Sequence, residues 1–122
     1  MQKIIEYKKI ERTQEFRDQY QKLTRKNKSL QHKIDTKIKQ IVANPTKIGK
    51  PKTGDLKYTY GSHVADHFVI VYMKIDNNIL FLCVDHHDFV YKEAPKILGD
   101  IEIEFPELWV VMPPNLKRHL KR

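Results

Sequence analysis

Two adjacent histidines and a tyrosine follow the most apolar stretch of the sequence, in the segment CVDHHDFVY. They are His86, His87 and Tyr91, and two further histidines, His63 and His67, lie just before the preceding apolar segment. An imidazole titrates near neutral pH, so it can both accept and donate a proton there. Two imidazoles flanking a ribose and its phosphate could remove the proton of the 2′-hydroxyl and deliver one to the leaving 5′-oxygen. This chemistry requires no metal and no cofactor, and we expect neither.

A metal site is the alternative, because imidazole and carboxylate groups are zinc ligands. His63 and His67 are four residues apart, and His86, His87 and Asp88 are consecutive. This spacing matches no compact zinc motif, and a His-x-x-x-His pair holds zinc on a helix rather than on a strand. The sequence therefore favours acid–base chemistry over metal binding.

The hairpin that carries the histidines is predicted from two apolar segments, 68–73 and 79–84, that flank an Asp-Asn-Asn turn. If the turn pivots on Asn77, the numbers of facing residues sum to 154, and His67 lies opposite His87. Cross-strand partners share a face and lie about 4.5–5.5 Å apart at Cβ. The two imidazoles are therefore expected to be neighbours.

Alternation of side chains along regular strands adds His63 to the same face and turns His86 away from it. We therefore expect His63, His67 and His87 to gather at one end of the sheet. A register slip of one residue would pair Phe68 with His87 and disperse the group.

The elements that position these residues follow from the hydrophobic pattern. Residues 3–8 have the β-branched and aromatic content of a short strand. From Thr13 onward, apolar residues at spacings of three and four predict a helix, and a second helix begins at Ser29 and ends at Asn44-Pro45. β-type patterning then runs from 56 to 85. The prediction is an α+β domain, with an N-terminal strand and a helix hairpin packed on a small antiparallel β-sheet.

A chain of 122 residues is long enough for one hydrophobic core. We predict a single domain, with its core in residues 1–92 and a C-terminal extension over 93–122. In the extension, IEIEF (101–105) alternates like an edge strand, and residues 107–114 are predicted to form a lid over one edge of the sheet. Residues 117–122 are expected to be a helix end or a loose basic tail.

Charge is unevenly distributed along the chain. The net charge is +8, but residues 1–60 alone carry +10 and residues 61–116 carry −6. A basic half of this strength attracts a polyanion such as nucleic acid, or an acidic protein. The apolar runs are far shorter than the roughly 20 residues of a membrane span, so no membrane association is expected. With one cysteine, in an apolar run, and no apolar signal core at the start, a cytoplasmic location is expected.

The order of these segments resembles the RelE/ParE superfamily, the small toxins of type II toxin–antitoxin pairs. Their usual pattern runs Asn-Pro, a glycine-containing link, Gly-Asp-Tyr-Arg-Val-x-Tyr, a hairpin and then Gly-His-Arg-x-x-x-Tyr. The corresponding segments here are ANP (43–45), ADHFVIVY (65–72) and DHHDFVY (85–91). The resemblance covers about residues 1–92.

This resemblance implies a ribosome-dependent endonuclease that cuts translated mRNA by attack of the 2′-hydroxyl, without a metal. It also implies contacts with rRNA and inhibition by a cognate antitoxin that wraps the toxin. A toxin–antitoxin hetero-oligomer is therefore expected.

Site residues are carried over from the resemblance position by position. Tyr91 matches a tyrosine that stacks on or positions the substrate, His87 matches an arginine four residues before it, and His63 sits where a basic residue is common. The histidine-using YafQ-like branch is the more similar, because its histidines precede the strand tyrosine by nine residues and the terminal aromatic by four. The aspartate of that branch falls at His67, which leaves Asp66 as a neighbouring substitute. We predict His63 or His67 as general base and His87 as general acid.

Lysines are predicted to hold the RNA, since phosphate contacts supply much of the affinity for nucleic acids. Those expected to meet backbone phosphates are Lys50, Lys52 and Lys57, and those expected to contact rRNA, or equally to face only water, are Lys33 and Lys37. The sequence departs from the RelE-like pattern at Phe68, where an arginine is usual, and at Thr59 and Gly61, where lysines are usual.

Two other functions are compatible with the resemblance. One is a ParE-like toxin that inhibits DNA gyrase without being an enzyme, although members of that branch generally lack a catalytic constellation such as His63, His87 and Tyr91. The other is a catalytically inactive relative that only binds RNA, which the missing arginine at Phe68 keeps open.

Overall fold

The computed structural model describes residues 9–121 and places their strands in one five-stranded sheet of order β1-β5-β4-β3-β2. β1 pairs with β5 in parallel, and the other neighbouring strands are antiparallel. The strands are β1 (Lys9–Arg12), β2 (Lys50–Pro51), β3 (Thr59–Val64), β4 (Phe68–Ile75) and β5 (Asn78–His86). The predicted strand at residues 3–8 lies outside the described residues.

The helices alternate with these strands or follow them. They are α1 (Gln14–Thr24), α2 (Lys28–Ala43), α3 (Pro45–Ile48), α4 (His87–Gly99), α5 (Ile101–Glu104), α6 (Pro106–Val111) and α7 (Pro114–Leu120). The predicted α+β architecture, with a strand, two helices and a mainly antiparallel sheet, is confirmed.

The first two helices cover one face of the sheet. Thr13 caps α1 and Asn27 caps α2, in each case by accepting a backbone N–H three residues later. The predicted start of α2 at Ser29 was therefore one residue late, because the helix begins at Lys28. The apolar stripes of both helices pack on the sheet residues whose side chains point to this face. The buried members of this cluster include Phe16, Ile34, Ile41, Ile70, Tyr72 and Phe81.

The C-terminal extension covers the opposite face, so the continuous apolar strands β4 and β5 are buried on both sides. Its buried residues Ile101, Leu108, Met112 and Leu116 join Val71 and other sheet residues in a second core cluster. Residues 107–114 were predicted to cover one edge of the sheet, whereas the extension as a whole covers one face. Glu104 and Glu107 of the extension reach the α1 and β1 edge, where Glu107 pairs with Lys9 at 2.6 Å.

The predicted edge strand at 101–105 is wrong. Residues Ile101–Glu104 form the short helix α5, in which Ile101 is buried and Ile103 is 83% exposed. Although the letters IEIEF alternate, the residues that pack on the core are Ile97, Ile101 and Phe105, at a helical spacing of four. Burial on the helical face outweighs the strand-like alternation.

The hairpin of β4 and β5 differs at its turn from the prediction. Ile75 pairs with Asn78, so the turn contains only Asp76 and Asn77, and facing residue numbers sum to 153 rather than 154. A β-bulge then restores the predicted register, because Tyr72 pairs with Phe81 but Val71 pairs with Cys83. The extra residue is Leu82. It is buried on the same side as Cys83, as expected where a bulge interrupts the alternation of side chains.

Thr13 holds this bulge in place from the start of α1. Its hydroxyl donates to the carbonyl of Leu82 at 2.5 Å and accepts the N–H of Phe16 at 3.0 Å, while its own N–H donates to the carbonyl of Phe81 at 3.0 Å. Thr13 is itself buried. One side chain therefore satisfies both the helix terminus and the interrupted strand.

The cysteine of the chain lies in the core. Cys83, the cysteine of the apolar run, is a free and fully buried thiol, and burial raises its pKa, which makes it unreactive. No helix within residues 9–121 is long and apolar enough to cross a bilayer.

Replacing Thr13 with alanine should destabilise the protein by about 2 kcal/mol, because it removes a helix cap and leaves the Leu82 carbonyl without its donor. Urea unfolding followed by circular dichroism measures the loss. Thr13→Ser is the matched control, since it keeps the hydroxyl and should lose clearly less. Equal stability of the two variants would contradict the proposed role of the hydroxyl.

Candidate active site

The junction between β5 and α4 places two of the histidines. β5 ends at His86, and α4 begins at His87. The His86 imidazole caps the helix, because its Nδ1 accepts the backbone N–H of Asp88 at 3.2 Å. Asp88 lies in the first turn of α4, where a carboxylate is stabilised by the helix dipole.

His67, His86 and His87 form one group, which we call the histidine cluster. The ring centroids lie 5.7 Å apart for His67 and His86, 6.2 Å for His67 and His87, and 4.4 Å for His86 and His87. The backbone fixes this arrangement, because the N–H of His87 donates to the carbonyl of His67 at 2.8 Å. His67 and His87 are exposed and His86 is half-buried, so the cluster is open to solvent.

This geometry agrees with the prediction for one pair and corrects it for two residues. His67 and His87 are neighbours, as expected from the 154 register. His86 was predicted to point away, yet it belongs to the cluster, because the strand ends there and its ring turns toward the helix N-terminus. His63 was predicted to join and does not. The turn after β3, in which Ala65 has a φ of 53°, breaks the alternation that linked His63 to His67.

The carboxylate of Asp88 lies beside the Nδ1 atoms of His86 and His87. Its Oδ1 lies 2.9 Å from Nδ1 of His87, and its Oδ2 lies 3.5 Å from Nδ1 of His86. A carboxylate at Nδ1 favours the tautomer that carries its proton there, which leaves Nε2 of His87 free to react.

Tyr91 and Lys52 form a second group, which we call the tyrosine–lysine pair. Tyr91 follows His87 by one turn of α4, so the two side chains share a helix face. Nζ of Lys52 lies 4.7 Å from the centroid of the Tyr91 ring. Both side chains occupy the space over Gly61, where an added Cβ would lie 2.7 Å from Cε of Lys52 and 3.1 Å from Oη of Tyr91. The absence of a side chain at Gly61 makes this approach possible.

His63 is exposed on β3, two residues from Gly61, and pairs in register with Val69. It lies at the rim of the sheet beside α2. There it lines a shallow depression together with His32, Lys33 and Lys37. The structure thus places His63 with the predicted rRNA-contacting lysines rather than with the histidine cluster.

The remaining predicted residues lie at different distances from these groups. Asp66 is exposed in the turn immediately before His67. Lys50 is exposed and pairs in register with Gly61, beneath the tyrosine–lysine pair. Lys57 lies elsewhere, since it contacts the Tyr58 ring and lines a depression with Arg118 of α7.

Glu93 of α4 and Asp85 of β5, which we call the carboxylate pair, join the helix to the sheet with the help of Gln19. Oε1 of Gln19 accepts the N–H of Val84 at 2.9 Å, and Nε2 of Gln19 donates to Glu93 at 2.6 Å. Glu93 also shares a hydrogen bond with Asp85. Burial raises the pKa of the Glu93 carboxyl, and the hydrogen bond and negative charge of Asp85 raise it further.

Sequence reasoning missed α4, and with it the positions of His86 and Asp88. The signal was present, because Val90, Ala94 and Ile97 follow the spacing of a buried helix face and all three are buried. A helix beginning at His87 would have identified His86 as its N-cap.

A model of a known protein family matches most of the chain. The model of a family described as ParE-like toxin of type II bacterial toxin–antitoxin system matches residues 10–94. All but the first two residues of the C-terminal extension lie outside the matched range. Among curated proteins, none matches the sequence.

Solved structures of bacterial toxins share the fold. The RelBE2 toxin–antitoxin complex from Mycobacterium tuberculosis is 23% identical, with a TM-score of 0.56, and the match covers 70% of this chain and 95% of that chain. YafQ from Escherichia coli is 17% identical, with a TM-score of 0.59 and coverage of 67% and 96%. The YoeB–YefM complex from Staphylococcus aureus is 23% identical, with a TM-score of 0.57 and coverage of 64% and 94%.

Replacing Glu93 with glutamine should raise the melting temperature at pH 7.5, because an amide donates to Asp85 without having to take up a proton. Because the pKa of Glu93 is raised, its protonated carboxyl stabilises the folded state. This contribution to stability is fully present below pH 4.5, the ordinary pKa, and is lost as pH rises through the raised pKa. The advantage of Glu93→Gln should therefore shrink as pH falls toward 4.5. Thermal melts from pH 4.5 to 7.5 measure it.

Glu107→Gln provides a control of opposite sign. The pKa of Glu107 is lowered by its hydrogen bond and ion pair with Lys9, so its contribution is present at neutral pH and lost on acidification. This exposed substitution should not raise the melting temperature at pH 7.5. A lower melting temperature for Glu93→Gln at that pH would contradict the account of the carboxylate pair.

Proposed function

Because this chain belongs to the ParE-like toxins of type II bacterial toxin–antitoxin systems, we propose that it is the ribosome-dependent mRNA endonuclease of such a pair. Its histidine cluster performs metal-free acid–base catalysis on the message. A cognate antitoxin protein binds the toxin and inhibits it.

The observation that carries this proposal is the placement of His67 and His87 with Tyr91 one helical turn away. The two ring centroids are 6.2 Å apart, and both imidazoles are exposed. That separation leaves room for the ribose and scissile phosphate of a nucleotide between a base and an acid. The YafQ-like spacing of His87 four residues before Tyr91 supports the role of His87.

Each histidine has a distinct role in the proposed reaction. His67 removes the proton of the 2′-hydroxyl, and the 2′-oxygen forms a bond to phosphorus. The bond from phosphorus to the 5′-oxygen breaks, and protonated His87 gives this oxygen its proton. Asp88 holds the His87 ring in place by its contact with Nδ1. The products are a 2′,3′-cyclic phosphate and a 5′-hydroxyl end.

The neighbouring groups hold the RNA. Tyr91 offers an aromatic face for a base, and Lys52 and Lys50 offer positive charge to the phosphates beside it. His63, with Lys33 and Lys37, extends this basic surface along α2, where it contacts rRNA. Lys57 lies beyond this surface, and Asp66 beside His67 assists in positioning its imidazole.

Solved complexes support the antitoxin partner. The RelBE2 structure and the YoeB–YefM structure are both toxin–antitoxin complexes, and each toxin-like chain is matched over nearly its whole length. We propose that this chain likewise forms a hetero-oligomer with its antitoxin.

Inhibition of DNA gyrase is the second candidate function, and the ParE-like description of the family favours it. Phe68, at the position where an arginine is usual, also lacks the charge of RelE-like sites. Its ring lies edge-on to His86 at a centroid distance of 6.0 Å, so the position serves packing rather than phosphate binding. In this case the histidine cluster would not be needed for toxicity.

Replacing His87 with glutamine should lower the rate of mRNA cleavage by about 10²- to 10⁴-fold, since general acid–base catalysis contributes about this much. Tyr91→Ala should lower it less, because stacking on one base contributes about 1–3 kcal/mol. Cleavage in a purified translation system, mapped at the mRNA 5′ ends, measures both rates.

The control is His119→Gln, a half-buried histidine outside the cluster whose Nε2 lies 3.1 Å from the Asp55 carbonyl. It should cleave like the unaltered chain. If His87→Gln and Tyr91→Ala both remain fully toxic, and toxicity is accompanied by gyrase-dependent DNA damage, the nuclease proposal is wrong and the second candidate is supported.

A further inference from the structure

The histidine cluster has the donor atoms of a metal site as well as those of a catalytic pair. One ring nitrogen from each of His67, His86 and His87 lies within 4.8 Å of the other two. The sequence spacing of these residues matches no zinc motif. The fold brings them together, because the β5 bulge sets the register and α4 begins where the strand ends.

We propose that these three imidazoles bind a divalent late first-row metal ion such as zinc. Zn–N distances of about 2.0–2.1 Å in a tetrahedral site place ligand nitrogens about 3.3 Å apart. The three nitrogens therefore need to approach one another by no more than about 1.5 Å. Rotation of the exposed His67 and His87 side chains supplies this movement without any change in the backbone.

The backbone already holds the three residues at the right separation. His86 pairs in register with Phe68, directly after His67 in the chain. The N–H of His87 donates to the carbonyl of His67 at 2.8 Å. Little main-chain entropy is lost when a metal binds, because the sheet and the helix have ordered the ligand positions beforehand.

The Asp88 carboxylate lies where it can orient the imidazoles of metal-bound histidines. Its oxygens lie 2.9 Å from Nδ1 of His87 and 3.5 Å from Nδ1 of His86. Both imidazoles can therefore carry the proton on Nδ1, direct it to a carboxylate and present Nε2 to the metal. His86 would give up the weaker 3.2 Å contact that its Nδ1 makes with the Asp88 N–H.

The donor set selects the class of ion. Imidazole nitrogens suit zinc, copper and nickel, whereas magnesium and calcium prefer oxygen ligands. Three protein ligands leave the fourth tetrahedral position to water or to an added group. The site is thus an open one at the protein surface.

Metal binding and the proposed catalysis exclude each other. A nitrogen lone pair that is bonded to a metal cannot take a proton from RNA, so an occupied cluster would be an inactive toxin. This consequence rests on the proposed function, whereas the metal site itself does not.

Metal binding is tested on the full chain with its affinity tag removed and with no RNA present. Zinc is titrated in competition with a chromophoric chelator, and Co²⁺ is added separately to record the visible absorption of a tetrahedral site. We expect one equivalent of zinc at micromolar affinity or tighter. His67→Gln and His86→Gln should each weaken binding at least tenfold, and Asp88→Asn should weaken it about 10- to 100-fold.

His32→Gln and His119→Gln are the matched controls, because both remove a histidine outside the cluster, and neither should alter the titration. Circular dichroism of each variant shows whether it is folded, and a folded His86→Gln chain that binds zinc as tightly as the unaltered chain overturns the proposal. So does the absence of a stoichiometric site in the unaltered chain. Since no RNA is present, the result does not depend on whether the chain is a nuclease.

Discussion

One extra residue in β5 determines where the histidines lie. The two-residue turn alone would give a register of 153, in which His67 faces His86 and His87 faces Asp66. The bulge at Leu82 shifts the far end of the hairpin by one position, so that the N–H of His87 bonds to the carbonyl of His67. Because side chains alternate along a strand, this shift also decides which β5 side chains point to each face of the sheet. The bulge therefore decides that His87, rather than His86, lies opposite His67.

The start of α4 brings the side chains of the site together around this register. The helix begins at His87, so the ring of His86 becomes a cap, the carboxylate of Asp88 lies behind both imidazoles, and Tyr91 follows one turn later. The rest of the helix is anchored by its buried face and by Glu93. The same rigid junction can position an acid and a base around RNA or three ligands around a metal. Its two proposed states differ in occupancy and not in fold.

The sequence predicted the elements better than their connections. The capped helices, the paired apolar strands and the neighbouring positions of His67 and His87 follow from periodicity and pairing rules. The bulge was not predictable, because Leu82 and Cys83 are both apolar and no letter marks which one is extra. His63 was misplaced because its link to His67 assumed a regular strand, and a left-handed Ala65 turns the chain there. The short helix α5 was misjudged because alternation and helical spacing coincide over five residues.

The chemistry of the cut ends tests the central claim most directly. RNA cleaved by the purified toxin on ribosomes, in a buffer whose chelator removes transition metals but leaves magnesium for the ribosome, is analysed for its terminal groups. Acid–base catalysis by His67 and His87 predicts a 2′,3′-cyclic phosphate, or the 3′-phosphate formed from it, next to a 5′-hydroxyl. A 3′-hydroxyl next to a 5′-phosphate, or cleavage that appears only after zinc is added, would contradict the account.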